Sequence, residues 1–279
     1  PQAPNPEPQT PTQVRILRKM NHPGVVRLLG VYTLLPDLSI VLECVEGRSL
    51  HFICHPDEGG TGRSPPSRKG YCRPPSWASS LTSPFSLASS SAPRWGERPL
   101  EDVEEVLGLG LQIADAMDYV HFLEVVHRDL KPANVLVTHT GIVKLIDFGL
   151  AYLGDPSLIP AHSVFAGTPA YLPPEVLREE EATFKQDVYS FGILFWEMLA
   201  QEFPFDAMTL KQMTIGVTTR DLRPTIPSCC SPEIASFLQE CWAPLPEQRP
   251  AFRSLPLEPL CPRDDNLRTK SDPSFYYFT

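Results

Sequence analysis

The sequence predicts an α+β fold, with paired strands early in the chain and helices after them. Three observations carry this. Residues 25–32 and 38–44 are rich in branched and aromatic side chains and flank a Pro36-Asp37 turn, the pattern of two paired strands. Residues 101–121 repeat apolar side chains at helical spacing, from Val103, Val106 and Leu107 through Ile113 to Met117 and Val120. Residues 187–200 are apolar on nearly every side, as expected of a helix buried inside a helical lobe.

In chain order, residues 1–12 hold Pro1, Pro4, Pro6, Pro8 and Pro11. Proline removes backbone donors and favours extended chain, so a disordered Pro-rich tail is expected there. From Gln13, the side chains of Val14, Ile16, Leu17 and Met20 suit a short helix stopped by Asn21-His22-Pro23-Gly24. Beyond the two strands, residues 55–98 contain seven prolines and ten serines, which cannot supply a packed face and predict a disordered insertion. The 101–121 helix then leads to two strands, 135–138 and 142–147, joined across His139-Thr140-Gly141. This hairpin places Asn134 before one strand and Asp147 after the other, near one mouth. Ser231-Pro232-Glu233 reads as a helix start: serine caps free amides, proline suits the first turn, and Ile234, Phe237, Leu238 and Cys241 form one stripe after it. Pro256, Pro259, Pro262 and Pro273 interrupt any continuation, so residues 256–279 are expected to be a loosely held tail. The folded domain is therefore placed at 13–255, around the insertion.

A formal charge of -9 argues against non-specific nucleic-acid binding, which needs a basic surface to replace phosphate counterions. Seven scattered cysteines, odd in number and without paired ligand spacing, support neither a disulfide framework nor a zinc site and suggest a reducing compartment. The longest apolar run, 191–200, is broken by Glu197 and too short for a membrane span, and the proline-rich start has no signal-peptide core. A soluble, cytoplasmic protein is the expectation.

The chemistry concentrates in His127-Arg128-Asp129-Leu130-Lys131-Pro132-Ala133-Asn134, followed by Asp147-Phe148-Gly149. An isolated Asp-x-x-x-x-Asn is ordinarily a capped turn. The complete string, with the triplet at this spacing, resembles the catalytic loop and metal-binding triplet of protein kinases. Phosphoryl transfer asks for positioning, charge neutralisation, a carboxylate to receive a hydroxyl proton and oxygen ligands for magnesium. The resemblance implies ATP and Mg2+ as cofactors, Asp129 as catalytic base, Asn134 and Asp147 as metal ligands, and Lys131 as the neutraliser of the transferred group. It also implies that Thr168, in Gly167-Thr168-Pro169-Ala170-Tyr171, bonds Asp129 and Lys131. Leu42-Glu43-Cys44-Val45 resembles the family's gatekeeper and hinge, with backbone groups of Glu43 and Val45 on adenine and Leu136 packed beneath it.

Lys131, two residues after Asp129, resembles serine/threonine rather than tyrosine kinases and implies serine or threonine acceptors on a protein substrate. Cys241-Trp242 and Glu247-Gln248-Arg249-Pro250-Ala251-Phe252 resemble the tyrosine-kinase-like group of serine/threonine kinases. In that family Asp187 would anchor the loop backbone, Glu175 would pair with Arg249, and Leu17, Leu28, His127 and Phe148 would stack as a hydrophobic spine. Ser157 and Ser163 lie where an upstream kinase could add a phosphate that docks near Arg128. The implied fold is a two-lobed protein-kinase-like α+β domain with a complete helical large lobe.

The resemblance departs at the start. No glycine-rich phosphate loop precedes Gln13, the earliest lysine, Lys19, already falls on the helix, and Gln13 stands where the helix glutamate would be. A neutral amide cannot form the expected ion pair. An incomplete β lobe, exposed remaining strands and impaired transfer are expected, since positioning supplies most of the catalysis. Retention of Asp129, Asn134 and Asp147 favours a fragment, splice form or gene-model truncation over a dedicated scaffold. The alternative from another class is a noncatalytic, pseudokinase-like interaction module. A small-molecule phosphotransferase is disfavoured by the protein-substrate motif from Thr168 to Glu175.

Overall fold

In the computed structural model, which describes residues 9–32, 39–56, 100, 103–159, 166–228, 230–255 and 257, the chain opens with helix α1 (Gln9–Lys19). The helix takes in four residues expected to be extended. Pro11 falls in its first turn, where a backbone N–H has no intrahelical partner to lose. Ile16 and Leu17 are buried, while Arg15, Arg18 and Lys19 face outward.

Strands β1 (Leu28–Tyr32) and β2 (Ser39–Leu42) pair antiparallel, with Leu28 opposite Leu42 and Tyr32 opposite Ser39. The first strand is shorter than the expected 25–32 because Val25 and Val26 are drawn onto another partner. Val26 N–H donates to the Leu145 carbonyl at 2.9 Å, and Leu145 N–H donates to the Gly24 carbonyl at 2.8 Å. The Pro36-Asp37 turn lies outside the described residues. Leu29, Tyr32 and Val41 are 57%, 51% and 47% exposed, so one face of this small sheet is open, while Leu28, Ile40 and Leu42 pack against the core.

A second sheet runs in the order β3-β5-β6, where β3 is Gly47–Ser49, β5 is Val135–Thr138 and β6 is Val143–Leu145; both neighbouring pairs are antiparallel. The β5–β6 hairpin is the one read from the sequence. Strand β3 was not foreseen, because Gly-Arg-Ser carries no strand propensity and takes its conformation from its partner. Val135 and Val137 point into the core and Leu136 to the opposite face, following the two-residue period of a strand. Short β4 (Val125–Val126) pairs with β7 (Tyr152–Leu153) on either side of the catalytic segment.

The helical lobe comprises α2 (Leu50–Cys54), α3 (Val103–Phe122), α4 (Pro174–Leu177), α5 (Lys185–Ala200), α6 (Leu210–Thr219) and α7 (Pro232–Cys241). Every residue of α5 from Gln186 to Ala200 is buried, so this helix is the axis of the lobe. The rings of Phe191 and Phe195 meet Phe237 edge-on, with centroids 6.2 and 5.1 Å away. A Cβ on Gly192 would sit 2.7 Å from that of Cys241, so glycine permits the close approach of α5 to α7. Ser231 caps α7 as expected, its hydroxyl accepting from Ile234 N–H at 3.3 Å.

The expected insertion begins later than residue 55, since His55 is fully buried against the large lobe. The rest of it from residue 57 to 98, the first eight residues, Ser163 and nearly all of the 256–279 tail lie outside the described residues. Among the described residues no helix is long and apolar enough to cross a membrane.

Candidate active site

The candidate catalytic segment is built from the buried helix outward. Asp187, in the first turn of α5, accepts from the backbone amides of His127 and Arg128 at 2.8 and 2.9 Å and from His121 Nε2 at 2.8 Å. Burial alone would push this carboxyl up, but the donors from His121 and from the His127 backbone hold it below its ordinary range. Arg128 is thereby kept at φ +69°, a left-handed conformation that non-glycine residues adopt only at a cost. The twist turns Asp129 toward the mouth of the loop. His127 beneath it is fully buried, its pKa lowered by desolvation, and its ring lies 4.9 Å from that of Phe148.

Asp129 is the hub of the site. Its Oδ1 accepts from Thr168 N–H at 3.0 Å and Thr168 Oγ1 at 2.8 Å. Its Oδ2 accepts from Asn134 Nδ2 at 3.0 Å and lies 2.8 Å from Lys131 Nζ. Lys131 Nζ also donates to Thr168 Oγ1 at 2.7 Å, closing a ring of Asp129, Lys131 and Thr168. Thr168 can reach the loop because Gly167 takes φ +117° with its α-carbon pressed against the Arg128 carbonyl; an added Cβ would stand 2.4 Å from that oxygen.

Asn134 spends its Nδ2 on the Asp129 carbonyl at 2.8 Å and on the Asp129 carboxylate, which leaves Oδ1 as a hard oxygen donor. Asp147, exposed at the end of the hairpin and held at φ +61°, accepts from Gly149 N–H through Oδ1 at 3.1 Å. The two groups have the chemistry of magnesium ligands, oxygen atoms of an amide and a carboxylate.

At the expected hinge, Glu43 N–H donates to the Arg27 carbonyl at 2.9 Å, so its own carbonyl is the backbone group it can offer a ligand. The Glu43 carboxylate pairs with Lys144 Nζ at 2.7 Å and accepts from Arg27 N–H at 3.0 Å. Burial would raise its pKa, yet these partners hold it below the ordinary value. Leu42 ends β2, Val45 is half-buried two residues past Glu43, and Leu136 is half-buried directly across the sheet from Lys144. The Glu43–Lys144 pair escaped the sequence, in which 101 residues separate its members.

Leu17 and Phe148 belong to one buried cluster with Leu28 packed against it, and the His127 ring lies 4.9 Å from that of Phe148. Glu175 and Arg249 form a bidentate pair with N–O distances of 2.6 and 2.8 Å, and Arg249 Nε also donates to the Ala243 carbonyl at 2.9 Å. Sequence reasoning missed His121 as a partner of Asp187; nothing local distinguishes it from a surface residue at a helix end. It also missed the buried Glu197, which accepts from Tyr171 and lies against His55.

Comparison with known proteins identifies the family. A family model described as protein tyrosine and serine/threonine kinase matches residues 5–258. The chain is 30% identical over 245 residues to the serine/threonine-protein kinase CTR1 of Arabidopsis thaliana, covering 87% of this chain and 25% of that protein. It is 31% identical over 249 residues to mitogen-activated protein kinase kinase kinase 13-A of Xenopus laevis, covering 88% of this chain and 21% of that protein. Against mitogen-activated protein kinase kinase kinase 12 of Rattus norvegicus it is 30% identical over 266 residues, 95% of this chain and 25% of that protein. The chain thus spans about a quarter of the length of the curated relatives it matches. It belongs to the protein tyrosine and serine/threonine kinase family, within the tyrosine-kinase-like group of serine/threonine kinases.

Proposed function

We propose that these residues transfer the γ-phosphoryl group of ATP to a serine or threonine hydroxyl of a protein in a signalling pathway, with Asp129 receiving the hydroxyl proton. The observation that supports it most is the arrangement at Asp129. Thr168 and Asn134 fix the two carboxylate oxygens, and Lys131 stands between the carboxylate and Thr168. A carboxylate so held is oriented before substrate arrives, which is how positioning lowers a phosphoryl-transfer barrier. Lys131 adds a positive charge where the transferred group becomes most negative. Asn134 Oδ1 and the Asp147 carboxylate would hold Mg2+, whose chemistry is to bridge and neutralise the phosphates. Adenine would lie between Leu42 and Leu136, bonded to backbone groups of Glu43 and Val45.

Transfer by the 279 residues alone is expected to be impaired, because they hold neither a glycine-rich loop nor a strand lysine to orient the phosphates. A cytoplasmic setting belongs to this reading; among the described residues Cys44, Cys54, Cys230 and Cys241 are all unbridged. An upstream kinase acting at Ser157 would find that hydroxyl exposed, donating to Asp155 Oδ1 at 2.8 Å. The test is magnesium-dependent ATP binding and transfer to a basic protein substrate, with Asp147→Asn alongside. Weak transfer abolished by the substitution supports the reading. Equal signals from both proteins would overturn it.

The uncovered β1–β2 face, with Leu29, Tyr32 and Val41 exposed, favours one further reading: a noncatalytic, pseudokinase-like module that engages partner proteins through its small lobe. Asp129→Asn separates the two. A cellular effect that survives this substitution in a folded protein supports the interaction module, and its loss together with substrate phosphorylation supports catalysis.

A further inference from the structure

We propose that His51, His55 and Glu197 form a binding site for a zinc-class divalent cation, distinct from the Asn134 and Asp147 oxygens. His51 and His55 sit four residues apart at the end of α2, a spacing that stacks both rings on one face. Glu197 meets them from α5, and one donor atom from each of the three residues lies within 4.8 Å of the others. The side chains of His55 and Glu197 have no exposed area, whereas His51 is half-buried and leaves a route from solvent.

The local hydrogen bonding shows how an ion would be received. Glu197 Oε1 lies 2.8 Å from His55 Nε2, and Oε2 accepts from the Tyr171 hydroxyl at 2.5 Å. The hydroxyl orients the carboxylate, as outer partners do around metal ligands. An ion shared by His55 Nε2 and Glu197 Oε1 replaces the hydrogen bond between them, and the ring proton moves to the buried Nδ1, which has no hydrogen-bond partner of its own. Phe203 stacks on the His55 ring at 3.9 Å and 18°, closing that side with an apolar wall. Two imidazoles and a carboxylate suit zinc in a site whose fourth position is a water, and they discriminate against magnesium, which prefers oxygen alone. Cys54 is not among the ligands; burial pushes its thiol pKa up and keeps it protonated. A bound ion would fasten α2, which follows strand β3 out of the hinge, to α5 and through Tyr171 to the turn carrying Thr168.

The experiment uses the whole 279-residue chain stripped with a chelator and titrated with Co2+ as the visible probe, then with Zn2+ in competition and Mg2+ in excess. One equivalent of Co2+ with the absorption of a four-coordinate ion, displaced by Zn2+ and untouched by Mg2+, is the expected result. His51→Ala should weaken Co2+ and Zn2+ at least about tenfold and abolish the rise in thermal midpoint that Zn2+ gives the parent protein. Because His51 is half-buried, the metal-free midpoint of that variant should stay close to the parent's. Should it instead unfold, Tyr171→Phe keeps the ring and removes only the hydroxyl on Glu197, and metal affinity should again fall. Equal Co2+ binding by the parent and the folded variant, or no binding by the parent, overturns the proposal.

Discussion

Single residues in this chain fix the backbone before they do any chemistry. Asp187 gives both carboxylate oxygens to the loop amides, so Asp187→Asn removes the charge and one acceptor from a fully buried position. A loss of about 3 kcal/mol is expected by denaturant titration, the scale on which a buried, charged hydrogen-bond network fails. Gly167 is equally constrained: at φ +117° and with the Arg128 carbonyl 2.4 Å from an added Cβ, Gly167→Ala must displace Thr168 from Asp129. A destabilisation of about 1–3 kcal/mol by the same titration is expected, with loss of whatever transfer the parent shows. The contacts of Asp129 with Asn134 and Thr168 were legible because each partner sits in a short, recognisable string of chain. His55 and Glu197 were not, since 142 residues separate them and neither sits in a recognisable string.

Elements differ in how they are held. Helix α5 is enclosed along its length, while among the described residues β1 and β2 pair only with each other and expose Leu29, Tyr32 and Val41. A two-stranded sheet is marginal by itself. Backbone amides of β1 and β2 should therefore exchange with deuterium well before those of α5, a contrast that mass spectrometry of peptides would read directly. The tie between α4 and the segment before Phe252 is the reverse case, a buried bidentate pair. Arg249→Lys keeps the charge but loses the fork that matches Glu175, and a cost of about 1–3 kcal/mol in thermal or chemical unfolding is expected. Long periodic elements such as α3 and α5 could be read from sequence within a few residues, because apolar spacing is a local signal. Strand β3 and the onset of α1 could not: one depends on its neighbour β5, and the other on tolerance of proline in a first turn.

The whole molecule carries a pH dependence that follows from its buried groups. His127 is fully buried and neutral: desolvation lowers its pKa from 6.5 despite the attraction of Asp187 and Asp129. In the unfolded chain the same ring regains its ordinary value and takes a proton as the pH falls below about 6.5. The unfolded state then binds more protons than the native one, so stability declines from that point downward, by at most about 1.4 kcal/mol per pH unit, until the folded ring also protonates. Asp187 acts in a lower window with the same sign. Its carboxyl is held below 3.8, so its contribution is complete above the unfolded value of about 3.9 and is lost as the pH falls through the depressed folded one. The thermal midpoint should therefore be level with respect to these two groups near neutrality, decline below about pH 6.5 and fall more steeply below about pH 4. His127→Phe preserves the ring that packs on Phe148 but cannot titrate. It should lower the midpoint at every pH through the lost bond from the Asp129 amide, yet flatten the first decline and leave the second. A first decline of unchanged slope in His127→Phe would assign it to another group and refute the account of His127 as the neutral base of the catalytic loop.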